Sequence, residues 1–207
     1  MTGSPQYETF LAAAVDRLAT LDPTAVAARA GIEYLPGPDA WRFESFGKAL
    51  MVRREDYRVE PSLDMWHHLC VLQYLAGADG SMPGKRWLGL GELPGGGLIR
   101  GASFDREIDA LLARELTMGD LEALRPAAGD LGGTLIDGES ADLCADFKFM
   151  PRYPLRLSLW LADDEFPASG RVRVNEATVN CLGVEAVGSV GLLLARMLCE
   201  RVRERQQ

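Results

Sequence analysis

The stretch SLDMWHHLCVLQYLAGADG, residues 62–80, constrains the fold more than any other part of the chain. Its apolar residues have the spacing of a helix and lie almost all the way round it. A helix without a polar face is buried on most sides, so the rest of the chain is expected to pack around it. Ser62 is the expected N-cap of this helix, and Gly77 is its expected terminator.

Helical spacing also marks the two ends of the chain. Residues 7–31 predict a helical hairpin, whose first helix carries apolar residues at helical spacing. Its second helix has Asp22 as N-cap, Pro23 at the first helical position and Gly31 just past the end. Residues 184–204 predict a C-terminal helix with one apolar stripe.

Between these helical segments the periodicity changes to that of strands. Residues 32–60 contain short alternating or apolar runs between turn signals, as in a small antiparallel meander, and a short strand is expected near residues 86–90. Further strand candidates follow later in the chain: GTLID, DLCADFKFM, PLRLSLWLA and RVRVNE. Because helices and antiparallel-type strands are grouped rather than alternating, the sequence predicts an α+β fold. We expect an antiparallel or mixed sheet packed against helices, in a single domain over residues 1–207.

Composition and charge argue against several classes of function. With 22 basic and 30 acidic residues, the chain has a formal net charge of −8, whereas nucleic-acid binding requires an excess of clustered basic residues. It has no apolar stretch of the roughly 18 residues that a membrane span requires, and MTGSPQYETF lacks the features of a signal peptide. We therefore expect a cytoplasmic protein that binds neither nucleic acid nor membrane. The four cysteines are scattered without a CxxC motif, which predicts core thiols rather than a zinc ribbon or a cysteine-ligated cluster.

The only two histidines, His67 and His68, are adjacent in the apolar helix. Adjacent helical residues point in different directions, so the pair cannot clamp one metal ion. His68 shares a stripe with Leu72 and is expected in the core, which makes His67 the better functional candidate. His67 and Cys70, three residues apart, could share a metal, and either histidine could be an axial ligand of a haem or corrinoid. The structural alternative is a packed or hydrogen-bonded histidine.

The glycine-rich segment 77–101 predicts a long structured loop and is a second candidate site. It does not match a P-loop, because Lys85 is followed by Arg86 and the segment comes after a helix. A dinucleotide fingerprint does not match either. Lys85, Arg86, Trp87 and Glu92 could hold an anionic or planar ligand, and a tight hairpin with an edge tryptophan is the structural alternative.

A third candidate is the acidic run Asp163, Asp164 and Glu165, which follows a predicted strand ending at Trp160. Carboxylates in such a loop can bind a cation or act as acid and base. Acidic residues are also the commonest way to solvate a loop between two strands, so both interpretations stay open.

Four stretches of the chain resemble a family of bacterial and archaeal proteins called domain of unknown function 3786. They are DPTAVAARAGIEY, LQYLAGADGSMPGKRWLGLGELPGGG, DLGGTLIDGESADLCADFKFMPRYPLRLSLW and LADDEFPASGRVRV. Members of the family tend to have G-D-E-E-F-P where this chain has ADDEFP, so the acidic loop is retained only in part. The resemblance implies a link to anaerobic metabolism and an iron-sulfur or corrinoid protein as partner.

Taken together, the sequence favours a ligand- or cofactor-binding accessory module with its ligand near residues 79–97 and 163–165. One alternative is a small-molecule enzyme that uses a histidine together with an acidic residue such as Glu92 or Asp163. The other is a structural or oligomeric interaction protein, which would present an apolar surface patch on its last helix.

Overall fold

The computed structural model describes residues 5–94, 97–178 and 180–206. Its helices are α1 (Pro5–Ala19), α2 (Pro23–Ala30), α3 (Met65–Gly77), α4 (Gly97–Glu115), α5 (Leu121–Asp130) and α6 (Val184–Arg205). Its strands are β1 (Glu33–Leu35), β2 (Ala40–Ser45), β3 (Lys48–Arg53), β4 (Val59–Glu60), β5 (Trp87–Gly89), β6 (Thr134–Leu135), β7 (Leu143–Met150), β8 (Tyr153–Trp160) and β9 (Ser169–Asn175). The fold is α+β, as the sequence predicts. Within the described residues, no helix is both long enough and apolar enough to span a bilayer.

The first sheet is an antiparallel meander in the order β1-β2-β3-β4. Its buried face carries Trp41, which is directly opposite Val52 on β3. The indole Nε1 of Trp41 donates a hydrogen bond to the Pro23 carbonyl at 3.0 Å, which ties this sheet to the start of α2. The predicted meander over residues 32–60 is therefore confirmed.

The second sheet is also antiparallel and has the order β5-β9-β8-β7-β6. One face of β8 carries Leu155, Leu157 and Leu159, which are fully buried. Helices α4 and α5 pack against the sheet, and α6 approaches it where Gly191 lies against Val172 of β9. The two sheets meet where the Phe46 amide donates to the Lys148 carbonyl at 2.8 Å. A single hydrophobic core extends across both sheets.

Helix α3 lies at the centre of this core and contacts α1, α2 and α6. Most of its residues are buried, as predicted from its apolar surface. Its N-cap is Asp64 rather than Ser62, because the helix begins at Met65. One Asp64 carboxylate oxygen accepts hydrogen bonds from the amides of Trp66 and His67 at 2.9 and 3.1 Å.

Helix boundaries predicted from capping residues, proline and glycine are correct for α2 and wrong for the start of α4. The side chain of Asp22 caps α2, and Gly31 ends it at φ +72°, as the sequence predicts. The segment predicted as loop up to residue 101 is already helical from Gly97. Gly101 permits this, because a Cβ at that position would lie 2.2 Å from the Leu90 backbone. The glycines that suggest a loop instead allow close packing of a helix.

Candidate functional site

His67 is buried at the joint between the two sheets, with 3 % of its surface exposed. Its Nε2 is 2.8 Å from the Ser45 hydroxyl, and its ring lies 5.8 Å from that of Phe46 and 5.9 Å from that of Phe149. Burial lowers the pKa of His67 to about 4, so the imidazole is neutral at pH 7. The prediction that places His68, rather than His67, in the core is therefore wrong. Both sheets cover the His67 side of α3.

His68 is the more exposed histidine, although it is half-buried rather than free. Its Nε2 lies 2.9 Å from the Tyr57 carbonyl, to which it can donate a hydrogen bond. The hydrogen bonds that the two imidazoles make go to Ser45 and Tyr57, and neither goes to Glu92 or Asp163. The histidine–carboxylate pair required by the enzyme hypothesis is thus not assembled.

Cys70 lies 2 % exposed on α3, with its thiol 3.9 Å from the Ala186 carbonyl of α6. Burial raises the pKa of this thiol to about 12, so the free thiol stays protonated at neutral pH. His67 points instead to Ser45. Across the described ranges there is no group of three or more potential metal-ligating side chains.

Lys85, Arg86 and Trp87 lie in the middle of the glycine-rich segment, where Trp87 is directly opposite Asn175 on β9. The Arg156 guanidinium lies 4.5 Å from the centre of the Trp87 ring, which occupies one face that a planar ligand would need. Lys85 and Arg86 are exposed.

Glu92 has a structural role in the turn after β5. Its Oε2 accepts a hydrogen bond from the Gly89 amide at 2.7 Å and so closes the turn at residues 90–92. Gly95 and Gly96, which belong to the predicted ligand loop, lie outside the described residues.

The acidic run forms a tight exposed turn. Asp163 Oδ1 accepts hydrogen bonds from the amides of Glu165 and Phe166 at 2.9 and 2.7 Å, and these bonds lower the pKa of Asp163. Asp164 has an exposed carboxylate beside it. This turn precedes the start of β9, whereas Trp87 pairs with the end of that strand. At about 3.3 Å per residue the two candidate sites are roughly 20 Å apart, so the structure does not bring them together.

The structure instead shows a groove between the helix pair α1/α3 and the helix pair α4/α6. It has two adjoining compartments of about 170 and 280 Å³. Residues shared by both compartments are Trp66, Phe104, Glu107 and Ser189. The smaller compartment adds Asp64, Leu192, Leu193 and Arg196, and the larger adds Gln6, Phe10, Arg100, Ser103 and Glu185.

Three aromatic rings line this groove. Trp66, in the first turn of α3, is 38 % exposed and packs edge-on against Tyr7 with ring centres 5.8 Å apart. Phe10 is 39 % exposed on α1. Phe104 lies directly on α6, because Gly188 has no side chain: a Cβ there would be 2.0 Å from the ring. The groove is therefore a concave aromatic surface built by four helices.

None of these groove residues is among the candidates from the sequence. The one local sign of the groove in the sequence is Gly188, which lies inside the apolar stripe of a long helix. A glycine at such a position generally has a packing or functional reason. The partner that explains it, Phe104, is 84 residues away in the chain and belongs to a different helix.

A family model described as Domain of unknown function (DUF3786) matches residues 22–197. No curated protein and no solved structure matches the chain. The matched segment includes Trp66, Phe104, Glu107 and Arg196, whereas Phe10 on α1 lies outside it.

Proposed function

The chain belongs to the DUF3786 family, and we propose that it is a ligand-binding accessory protein whose ligand occupies the groove between α1/α3 and α4/α6. The observation that carries this proposal is the exposure of Trp66 and Phe10 within one concave site. Ligand sites are typically concave and mainly apolar, with a few polar groups that fix orientation. An apolar ligand would remove these rings from water, a gain of about 25 cal/mol per Å² buried.

The groove supports binding better than it supports catalysis. Among its described lining residues there is neither a histidine nor a cysteine. The proposal also fits better than an oligomeric role for the last helix. The large apolar side chains exposed in the described residues lie outside α6, at Phe10, Trp66, Met82, Met118, Leu121, Leu135 and Phe166.

The resemblance to the family supports a finer form of the proposal. In this form the protein is cytoplasmic, serves anaerobic metabolism and works beside an iron-sulfur or corrinoid protein. Anaerobic affinity purification of the tagged chain, followed by iron and cobalt analysis of what is retained, tests it. Retention of either metal in stoichiometric amount is the expected result, and a preparation that retains neither metal contradicts this form.

The groove itself can be tested with the fluorescent aromatic probe 8-anilinonaphthalene-1-sulfonate. We expect the probe to bind the native protein, and Trp66→Ala, Phe104→Ala and Phe10→Ala each to weaken that binding roughly fivefold or more, because each removes apolar contact area. Phe166→Ala is the matched control, since Phe166 is 66 % exposed and lies outside the groove. Circular dichroism verifies that each variant is folded. Equal probe affinity in all four variants would contradict the proposal.

A further inference from the structure

The groove contains charged side chains of both signs, and several of them already have partners. Arg100 of α4 forms an ion pair with Glu185 of α6 at one end of the groove. Asp64 accepts hydrogen bonds from two amides at the start of α3, at 2.9 and 3.1 Å. These three groups are occupied by interactions within the protein.

Two charged groups remain, one of each sign. Glu107 on α4 and Arg196 on α6 both border the smaller compartment and are both exposed. Within the part of the chain that the structure describes, neither of them forms an ion pair, whether with the other or with a third residue. One carboxylate and one guanidinium are thus available beside the three aromatic rings.

Helix register places these two groups at similar levels on the two neighbouring helices, α4 and α6, that form one wall of the groove. Two ion pairs join α4 to α6, near their starts and near their ends: Arg100–Glu185 and Glu115–Arg203. The helices therefore run in the same direction, and Glu107 lies level with about Leu193. Arg196 is within about one helical turn of that level, or roughly 5 Å along the axis.

We propose that the groove binds a free amino acid with an apolar side chain. The ligand's ammonium pairs with the Glu107 carboxylate, and its carboxylate accepts a bidentate hydrogen bond from the Arg196 guanidinium. Its side chain lies against Trp66 and Phe104, towards Phe10. This inference rests on the proposed function, because it assigns the class of ligand to the same groove.

Charge complementarity favours a zwitterion over ligands with a single charge. A cationic ligand would leave Arg196 without a partner as the groove is covered, and an anionic ligand would leave Glu107 without one. A charge removed from water without a partner costs binding free energy. The terminus of a peptide likewise carries only one of the two charges, whereas a free amino acid carries both on one carbon atom.

Isothermal titration calorimetry with L-phenylalanine and two analogues tests the proposal. 2-Phenylethylamine lacks the carboxylate, and 3-phenylpropionate lacks the ammonium. We expect phenylalanine to bind about tenfold or more tightly than either analogue, because each analogue loses a charge-assisted hydrogen bond. The same series built on leucine, with isoamylamine and 4-methylpentanoate, covers a smaller side chain.

Two charge variants then identify the contacts. Glu107→Gln should abolish the preference for phenylalanine over 3-phenylpropionate, and Arg196→Gln should abolish its preference over 2-phenylethylamine. Arg106→Gln on α4 and Glu200→Gln on α6 are matched controls, because both side chains are exposed and outside the groove lining. Neither control should change any affinity.

The outcomes separate this inference from the proposed function. If the amino acids bind no more tightly than their analogues, or do not bind at millimolar concentration, the amino-acid assignment is overturned. Binding of the anilinonaphthalene probe that depends on Trp66 and Phe104 would still support the groove in that case. If Glu107→Gln and Arg196→Gln weaken all three compounds equally, the assignment of the two charges to the ligand's two ends is also overturned.

Discussion

At the scale of single residues, His67 shows how burial decides the chemistry of a side chain. Its imidazole meets the Ser45 hydroxyl and two phenylalanine rings inside the joint between the sheets. Both hydrogen-bonding partners are almost completely buried, and each satisfies the other. The neutral imidazole therefore acts as a structural link between α3 and β2.

The depressed pKa of His67 predicts a stability that depends on pH. Its folded pKa of about 4 lies below the ordinary value of 6.5, so below pH 6.5 the unfolded chain binds the proton more readily. Stability is thus fully present above pH 6.5 and is lost as the pH falls towards 4. From these values we expect a loss of about 2 kcal/mol in the free energy of unfolding between pH 7 and pH 5.

Urea denaturation of wild type and His67→Gln at pH 7, 6 and 5 measures this contribution. The variant should lack the part of the slope due to His67, whatever its stability at pH 7. His68→Gln is the comparison variant, since it removes the neighbouring imidazole and leaves the contact between His67 and Ser45 in place. The same slope in wild type and His67→Gln would contradict the assignment.

The orientation of the histidine pair marks the limit of sequence reasoning at this scale. Helical geometry correctly separates His67 and His68 onto different faces. It cannot say which face is covered more completely, because the covering side chains come from distant strands: Ser45, Phe46 and Phe149 lie 21 to 82 residues from His67 in the chain.

At the scale of elements, the N-terminus of α3 predicts a measurable capping effect. Asp64→Ala removes the acceptor of two amide hydrogen bonds and should lower the free energy of unfolding by about 1 kcal/mol. Ser62→Ala, at the cap position that the sequence suggests, should have almost no effect. Urea midpoints of the two variants measured side by side give the result, and a larger effect at Ser62 would rule out Asp64 as the cap.

The contact of α4 with α6 predicts an effect of adding one methyl group. Gly188→Ala would place a Cβ 2.0 Å from the Phe104 ring, so the ring must move out of its position. We expect a loss of about 1–3 kcal/mol in unfolding free energy and weaker binding of the anilinonaphthalene probe. Gly129→Ala is the matched control, because this helical glycine has open space around its Cβ position. Equal stability of the two variants would show that Phe104 does not pack on Gly188.

Element boundaries are predictable where their cause is local. Asp22, Pro23 and Gly31 define α2 within ten residues of sequence, and the structure places that helix there. The start of α4 is missed because its glycines are typical of a loop, whereas Gly101 allows the helix to pack closely on the Leu90 backbone, a contact that local helix propensity does not reveal. The strands are predicted correctly because alternating apolar and polar residues indicate a strand with one buried face.

At the scale of the whole molecule, the α+β class follows from the sequence and the groove does not. Segments with the apolar spacing of helices and segments with the alternation of strands are grouped along the sequence, which predicts the α+β class. The groove depends on four helices that are separated in the chain, so its residues share no motif. The candidates chosen from local patterns, such as Trp87 and Asp163, instead lie near opposite ends of β9.

The continuous core predicts that both sheets unfold in a single transition. Phe46 of the first sheet region and Phe149 of the second lie with their ring centres 5.7 Å apart, and Gly47 and Gly132 pack backbone against backbone beside them. Two separate domains would meet at a boundary that few contacts cross. The joint between these sheets is instead crossed by the ring contact and by the backbone packing of the two glycines. We therefore expect fluorescence from either sheet and far-ultraviolet circular dichroism to report the same urea midpoint.

Two single-tryptophan variants provide the local probes. One keeps Trp41 in the first sheet and the other keeps Trp160 in the second, with the remaining tryptophans changed to Phe. Within each variant, its fluorescence midpoint should coincide with its circular dichroism midpoint. Gly132→Ala adds a Cβ 3.0 Å from the Gly47 Cα at a φ of +68° and should cost about 1–3 kcal/mol of unfolding free energy. The urea midpoints in both backgrounds should therefore fall together. If Gly132→Ala shifted only one of them, or if fluorescence and circular dichroism diverged, the two sheets would be independent folding units rather than parts of one domain.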